Sequence, residues 1–182
     1  MYSPSAEVTM TDAADARDAL ADGGREPDAP DVSRVVADAD VLAADLLVGG
    51  AARDALDIAR AHSWVTLVAS DPLLDDAETV IAALADVDLA ADWREKIGSL
   101  ATLVEHPAGD HPALAAAAHG DAAHVLTFDD ALRNAKANAT VKKYVTVSFT
   151  APDGFARLFD PERLHPELVG GAYPGPDRDP RA

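Results

Sequence analysis

Aspartates recur at or just beyond the ends of the predicted β-strands of this sequence. Asp38 ends the first strand and Asp129 ends the fourth. Asp76 lies one turn into the helix after the second strand, and Asp110 opens the helix after the third strand. In open parallel sheets, ligands bind at the carboxyl ends of the strands. We therefore expect these four carboxylates to face one edge of the sheet.

Carboxylates that converge without a lysine or arginine repel one another, and a hard divalent cation relieves that repulsion. Mg²⁺ and Mn²⁺ prefer oxygen ligands. Such an ion lowers the pKa of bound water and holds a phosphodiester for in-line attack. Aspartate is also a common helix N-cap, so each residue alone has a structural alternative. The hypothesis of a metal site depends on the set.

The elements that would position these acids alternate between strand and helix. Strands are predicted over 33–38, 64–69, 100–105, 125–128 and 144–149, and helices over 41–47, 51–61, 89–98, 113–119, 131–139 and 151–159. One more helix, capped by Ser70 or Asp71, is predicted to carry Leu73, Leu74, Val80, Ile81 and Leu84 inward. This alternation is typical of a parallel sheet that is covered on both faces. We predict an α/β fold with three layers, α/β/α, around a central, mostly parallel five-stranded sheet.

Composition divides the chain into a central domain and two tails. Residues 1–31 are rich in Asp, Ala, Gly and Pro and are predicted to be a mobile acidic tail with a short helix over 11–20. Residues 32–160 form the predicted α/β/α domain. Pro and Gly dominate residues 161–182, which predicts an extended or disordered C-terminal tail.

The charge of the chain is strongly negative, with 15 Lys and Arg against 32 Asp and Glu and a net charge of −17. The acids are spread along the whole sequence, which favours adaptation to a salt-rich cytoplasm over a local acidic docking surface. At molar salt the Debye length falls to about 3 Å, so this charge does not exclude a nucleic-acid substrate.

Several classes of protein are excluded or disfavoured by what the sequence lacks. It has no Cys, which excludes a disulfide framework and thiolate zinc sites. Neither common nucleotide-binding glycine motif is present. No apolar run is long enough for a membrane span, so we expect a soluble, cytoplasmic protein without a membrane partner.

Four short motifs in a fixed order give the chain a family resemblance over about residues 33–150. They are the strand V-V-A-D-A-D-V-L ending at Asp38, the helix start L-L-D-D with Asp76, the Ala-rich helix opened by Asp110, and the strand end T-F-D-D-A-L with Asp129. In this order and spacing the chain resembles the PIN domains. It departs from them at Asp40, where Asn is usual, and at Asp76, where Glu is usual.

The resemblance implies a small α/β/α nuclease that cuts RNA with a metal-activated water. It implies Mg²⁺ or Mn²⁺ held mainly by Asp38, Asp110 and Asp129, with Asp76 as the fourth catalytic acid. Asp40 and Thr127 would support this site, Thr127 by orienting the metal or a phosphate. The partners that it implies are RNA, an antitoxin-like protein and a second copy of the chain.

Two other functions are open at this point. One is a PIN-like domain that serves as a non-catalytic binding or scaffold module, because the two departures alter the charge and reach of the acidic site. The other is a phosphatase like the haloacid dehalogenases, whose D-x-D motif Asp38-x-Asp40 imitates. In that reading Ser70 would be the strand-end hydroxyl, and Asp129 and Asp130 the acidic pair. That family normally inserts a flap after its first motif, whereas this chain continues directly into a helix.

A local group of basic residues follows the fourth strand. We expect it to contact the RNA backbone, and its members are Arg133, Lys136, Lys142 and Lys143.

Overall fold

A computed structural model describes residues 29–107, 109–134 and 147–181. Five strands lie within these ranges: β1 (Asp31–Ala37), β2 (Thr66–Ala69), β3 (Thr102–Leu103), β4 (Ala122–Leu126) and β5 (Ser148–Thr150). The helices there are α1 (Ala39–Leu47), α2 (Gly50–Ala61), α3 (Asp71–Leu84), α4 (Val87–Leu100), α5 (Pro112–His119), α6 (Asp130–Asn134), α7 (Pro152–Leu158) and α8 (Pro161–Leu168).

The strands form one parallel sheet in the order β3-β2-β1-β4-β5, which confirms the predicted fold class. The chain builds outward from β1 to β3 and then crosses back to the other side of β1 to form β4 and β5. The strand order therefore reverses between β1 and β4. Such a switch point leaves a crevice at the carboxyl ends of the two strands, where ligands bind in this architecture.

Helices cover both faces of the sheet. Val35, Val36 and Ala37 are consecutive and all buried, which requires packing on both sides of β1 because neighbouring side chains point to opposite faces. Helix α5 packs on β4, β1 and β2, whereas α2 packs on β2 and α7. The side chains of α5 that face the core are alanines, and these small residues let the helix lie close to the sheet.

Several predicted elements differ in detail from the structure. The fourth strand covers Ala122–Leu126 and not 125–128, so it ends before Asp129. The third strand is much shorter than predicted, and both of its residues, Thr102 and Leu103, are exposed. In α3 we expected Val80 and Leu84 to face inward, yet they are 37% and 73% exposed. The buried stripe of this helix follows Leu73, Ala77 and Ile81 at four-residue spacing, and Leu84 lies in the last turn.

The C-terminal segment is more ordered than predicted. Pro161–Leu168 form α8, and the side chain of Asp160 accepts a hydrogen bond from the backbone N–H of Arg163 at its start. Beyond this helix, the backbone N–H groups of Asp177 and Arg178 donate to the carbonyl of Ala61 at 2.9 and 3.1 Å. The prediction of an extended or disordered tail is therefore wrong for Pro161–Leu168, which are helical, and contacts with α2 hold the irregular residues that follow.

Some predicted features lie outside the described residues. These are the N-terminal tail through residue 28 with its helix over 11–20, the second half of the helix over 131–139, and the first residues of the strand over 144–149. Three of the four basic residues expected to contact RNA also lie there: Lys136, Lys142 and Lys143. Within the ranges that are described, no helix is both long and apolar enough to cross a membrane.

The C-terminal segment is tied to the core through Tyr173 and the buried His62. Nδ1 of His62 lies 2.7 Å from the carbonyl oxygen of Ile58, and Nε2 lies 2.6 Å from the hydroxyl of Tyr173. A carbonyl only accepts, so Nδ1 donates to Ile58, and Nε2 forms a hydrogen bond with the hydroxyl of Tyr173. Tyr173→Phe should lower the free energy of unfolding by about 1 kcal/mol because it leaves the buried Nε2 without a hydrogen-bond partner. Urea unfolding measures this change, and a midpoint equal to that of the wild type would contradict it.

Candidate functional site

Asp38 stands at the switch point, immediately after β1. It is extended, with φ −64° and ψ 161°, and it is the N-cap of α1. One carboxylate oxygen, Oδ1, accepts from the backbone N–H of Ala39 at 2.9 Å. Its own backbone N–H donates to the carbonyl of Leu126 in β4 at 2.8 Å. The side chain is therefore held at the edge of the sheet, and the residue is only 8% exposed.

Thr127 links this carboxylate to the end of β4. It is fully buried, and its backbone N–H donates to the carbonyl of Thr150 in β5 at 3.1 Å. Its hydroxyl donates to Oδ2 of Asp38 at 3.0 Å and accepts from the backbone N–H of Asp129, also at 3.0 Å. One hydroxyl thus fixes the relative positions of two of the predicted site residues.

Asp40 joins the same group from the first turn of α1. Its Oδ2 accepts from the backbone N–H of Phe128, just after β4, at 3.1 Å. Its Oδ1 is buried and has no hydrogen-bond donor within the described part of the chain. Burial raises the pKa of Asp40, and the charges of Asp38 and, more weakly, Asp129 raise it further against the backbone hydrogen bonds. Ionisation of Asp40 therefore costs free energy in the folded protein, because the group is partly buried beside two other carboxylates.

Asp129 lies at the solvent side of this group. It is exposed, and its Oδ1 accepts from the backbone N–H of Ala131 at 2.7 Å at the start of α6. Arg133 follows one turn later and pairs with Asp130 through Nη2, while its Nε is buried without a hydrogen-bond partner among the described residues. Arg133 is the member of the predicted basic group whose surroundings the structure describes. It lies four residues after Asp129 in the sequence.

The two remaining predicted acids are exposed. Asp76 lies on the solvent-facing side of α3, and Asp110 lies in the loop just before His111, the N-cap of α5. Among the described residues, no three Asp, Glu or His side chains are arranged to hold one metal ion. The predicted ligand set of Asp38, Asp110 and Asp129 is thus not assembled there, and it stays a prediction.

Ser70 is a residue that the metal hypothesis did not include. The parallel register pairs Val36 with Val68, so Ser70 follows β2 at the level at which Asp38 follows β1. It is fully buried, and its hydroxyl has no hydrogen-bond partner in the described ranges. Ser70 could have been found from the sequence in the same way as Thr127, because both are hydroxyl residues at the end of an apolar strand.

A protein-family model matches residues 29–181, which is most of the chain. Its description is a family of unknown function, DUF7384. The chain belongs to this family. The matched range includes the C-terminal segment that packs against α2, so in this DUF7384 member the segment falls within the family's domain. Neither the curated proteins nor the solved structures contain a match to the chain.

The free-energy cost of ionising Asp40 can be measured as a change in protein stability. Asp40→Asn keeps an oxygen that accepts from Phe128 and removes the charge. The pKa of Asp40 is higher in the folded protein than its ordinary value of 3.8, so ionisation of Asp40 destabilises the fold. This destabilisation is complete at pH values above the folded pKa and absent at pH values below 3.8. At neutral pH the variant should gain a few tenths to about 1 kcal/mol, since a half-exposed charge is screened.

The pH dependence gives this prediction its control. The gain of Asp40→Asn should shrink as the pH falls through the folded pKa of Asp40, as measured by urea unfolding between pH 7 and pH 3. Asp92→Asn, at an exposed position of α4, makes the same chemical change away from the acidic edge. An equal gain at every pH, or the same gain in Asp92→Asn, would contradict the prediction.

Proposed function

We propose that this DUF7384 protein is a metal-dependent ribonuclease that hydrolyses RNA phosphodiesters at the switch point of its sheet. The observation that carries this proposal is the hydrogen-bonded connection from Asp38 through Thr127 to Asp129 across β1 and β4. The unpartnered Oδ1 of Asp40 lies beside it. The order of acidic motifs that resembles the PIN domains supports the same function from the sequence side.

The donor set at this edge fits a hard divalent cation. Mg²⁺ usually binds one or two protein carboxylates and keeps several waters, so it does not require three clustered acids. Asp38 and Asp40 would hold Mg²⁺ or Mn²⁺, and Asp129 would stand next to it. The orphaned Oδ1 of Asp40 and the mutual repulsion of these carboxylates are features that a cation relieves. When bound, the ion would lower the pKa of a water and polarise a phosphate oxygen.

The chain's own residues would position this chemistry. Thr127 holds the carboxylate of Asp38 in one orientation, and the N-terminal backbone of α1 holds its other oxygen. Preorganised groups of this kind do not need to reorganise during the reaction, which favours the transition state. Arg133, one turn beyond Asp129, is the nearest described cation in the sequence and would face the phosphate of the RNA.

The proposal is tested by cleavage of a mixed RNA pool in molar KCl with Mn²⁺, with EDTA, and with a DNA pool in parallel. Cleavage of RNA that requires Mn²⁺ is the expected result. Calorimetric titration with Mn²⁺ measures binding of the ion independently of the substrate. If the protein binds neither Mn²⁺ nor RNA, the proposal is overturned.

A second candidate function is a non-catalytic RNA- or protein-binding module with a PIN-like fold. It is favoured by the absence of a three-residue metal cluster in the described ranges and by the low exposure of Asp38. RNA binding without cleavage in the presence of Mn²⁺ would support this module over the nuclease. A phosphatase like the haloacid dehalogenases is a third hypothesis, and hydrolysis of p-nitrophenyl phosphate tests it. The antitoxin-like partner and the homodimer stay predictions.

A further inference from the structure

Phe128 places an exposed aromatic side chain directly between two residues of the candidate site. It is 43% exposed and stands between the buried Thr127 and the exposed Asp129. Within the described ranges, the contacts between aromatic or histidine rings all involve other residues. The remaining aromatic residues that the structure describes are buried or half-buried, and they are Trp64, Trp93, Phe149, Phe155, Phe159 and Tyr173.

The backbone on both sides of this ring is fixed by the site itself. The N–H of Phe128 donates to Oδ2 of Asp40 at 3.1 Å, and the N–H of Asp129 donates to the hydroxyl of Thr127 at 3.0 Å. The same hydroxyl donates to the carboxylate of Asp38. The residues that would hold the cation therefore also set the position of Phe128 relative to it.

The ring contributes little to the hydrophobic core. Leu126, two residues earlier, belongs to the core cluster, whereas Phe128 is neither in that cluster nor packed against it. Single exposed apolar residues are common on protein surfaces, so exposure alone carries no function. What distinguishes Phe128 is its place among the acidic residues, together with a ring that the fold does not use.

We propose that Phe128 is a stacking platform for an unpaired base of the RNA, so that the substrate of this site is single-stranded. Aromatic side chains bind single strands in this way because every base has a flat π face. In a duplex, neighbouring base pairs cover both faces of each base. The inference rests on the proposed function, since a phosphate held at the acidic edge of Asp38, Asp40 and Asp129 brings its own base close to Phe128.

Stacking also suits the charge of this protein. The net charge is −17, and the candidate site adds three carboxylates to the surface that the RNA would approach. Attraction between basic side chains and phosphates, which usually supplies most of the affinity for nucleic acids, is therefore weak here. A contact between a base and a phenyl ring carries no net charge, so it persists at salt concentrations that screen ionic contacts.

The test is Mn²⁺-dependent cleavage, in molar KCl, of an RNA strand presented alone or in a duplex. Phe128→Ala removes the ring, and Phe128→Leu keeps an apolar side chain without a π face. The matched control is Leu168→Ala, which truncates a residue that is also 43% exposed. Leu168 lies with Asp31 and Ser33 at the amino end of β1, the opposite edge of the sheet. Circular dichroism verifies the fold of each variant.

Both Phe128 variants should lower kcat/KM for the single strand about tenfold, chiefly through a higher KM, because one base–aromatic contact is lost. Leu168→Ala should cleave as the wild type does. The wild type should cut the duplex about tenfold more slowly than the single strand, or slower still. Wild-type kinetics in Phe128→Ala, or equal cleavage of the duplex and the single strand, would overturn the inference.

Fluorescence distinguishes failure of this inference from failure of the ribonuclease proposal. Phe128→Trp keeps a stacking ring and adds a fluorophore to the two tryptophans of the wild type. In EDTA and molar KCl, single-stranded RNA should quench this added emission and leave the wild-type emission unchanged. Quenching without any Mn²⁺-dependent cleavage by the wild type would support the stacking platform and reject the nuclease. Cleavage without quenching would reject the platform alone, and the lack of both would reject both.

Discussion

Asp38→Asn should reduce Mn²⁺-dependent RNA cleavage by about 10³-fold or more while the protein stays folded. The amide has the size of the carboxylate, and its oxygen can still accept from the backbone N–H of Ala39 as an N-cap. The change removes the negative charge that would anchor the cation at the switch point. Cleavage assays and far-UV circular dichroism on the same preparations measure the two effects.

The control for this prediction is Asp92→Asn at an exposed position of α4. It makes the same chemical change outside the acidic edge, so its cleavage rate should equal that of the wild type. If Asp38→Asn cleaves RNA as fast as the wild type does, Asp38 is not part of the reacting site. Loss of cleavage in both variants would point to a general effect of charge and not to a metal site.

Among Gly→Ala substitutions at the described glycines, Gly120→Ala should be the most destabilising. It should lower the free energy of unfolding by about 3 kcal/mol. A Cβ at this position would lie 2.4 Å from Cγ1 of Val68 and 2.9 Å from the carbonyl oxygen of Ala116. Val68 is fully buried in β2, and the carbonyl belongs to the backbone of α5, so neither can move aside cheaply. The helix and the sheet would have to separate.

The matched control is Gly98→Ala in α4. There the nearest atom to the new Cβ is Nη1 of Arg94 at 3.1 Å, the end of a flexible side chain. Alanine in a helix interior is favoured over glycine by about 0.5–1 kcal/mol, so this variant should be more stable than the wild type. Guanidinium unfolding of both variants gives the two free energies. Changes of the same sign would contradict this interpretation of the packing around Gly120.

Local patterns in the sequence were sufficient to predict the fold class and most of the elements. The alternation of apolar strands with helical periodicity predicted the parallel sheet. The Gly49-Gly50 pair marked the break between α1 and α2, and both glycines have positive φ, which other residues avoid. Asp38 was placed correctly just at the end of β1, whereas β4 ends at Leu126, two residues before the predicted end of the fourth strand. These features depend on neighbours a few residues apart, which a sequence displays directly.

Contacts between distant parts of the chain decided the rest. The sheet order placed β4 beside β1, and only this neighbour brings the backbone of Phe128 to Asp40. The direction in which α3 packs left Asp76 in solvent. The C-terminal segment packs against α2 through hydrogen bonds from Asp177 and Arg178 to Ala61, whereas the sequence had suggested an extended or disordered tail. Residues so far apart meet because burial of the apolar faces fixes how the elements pack, and no local pattern records that choice.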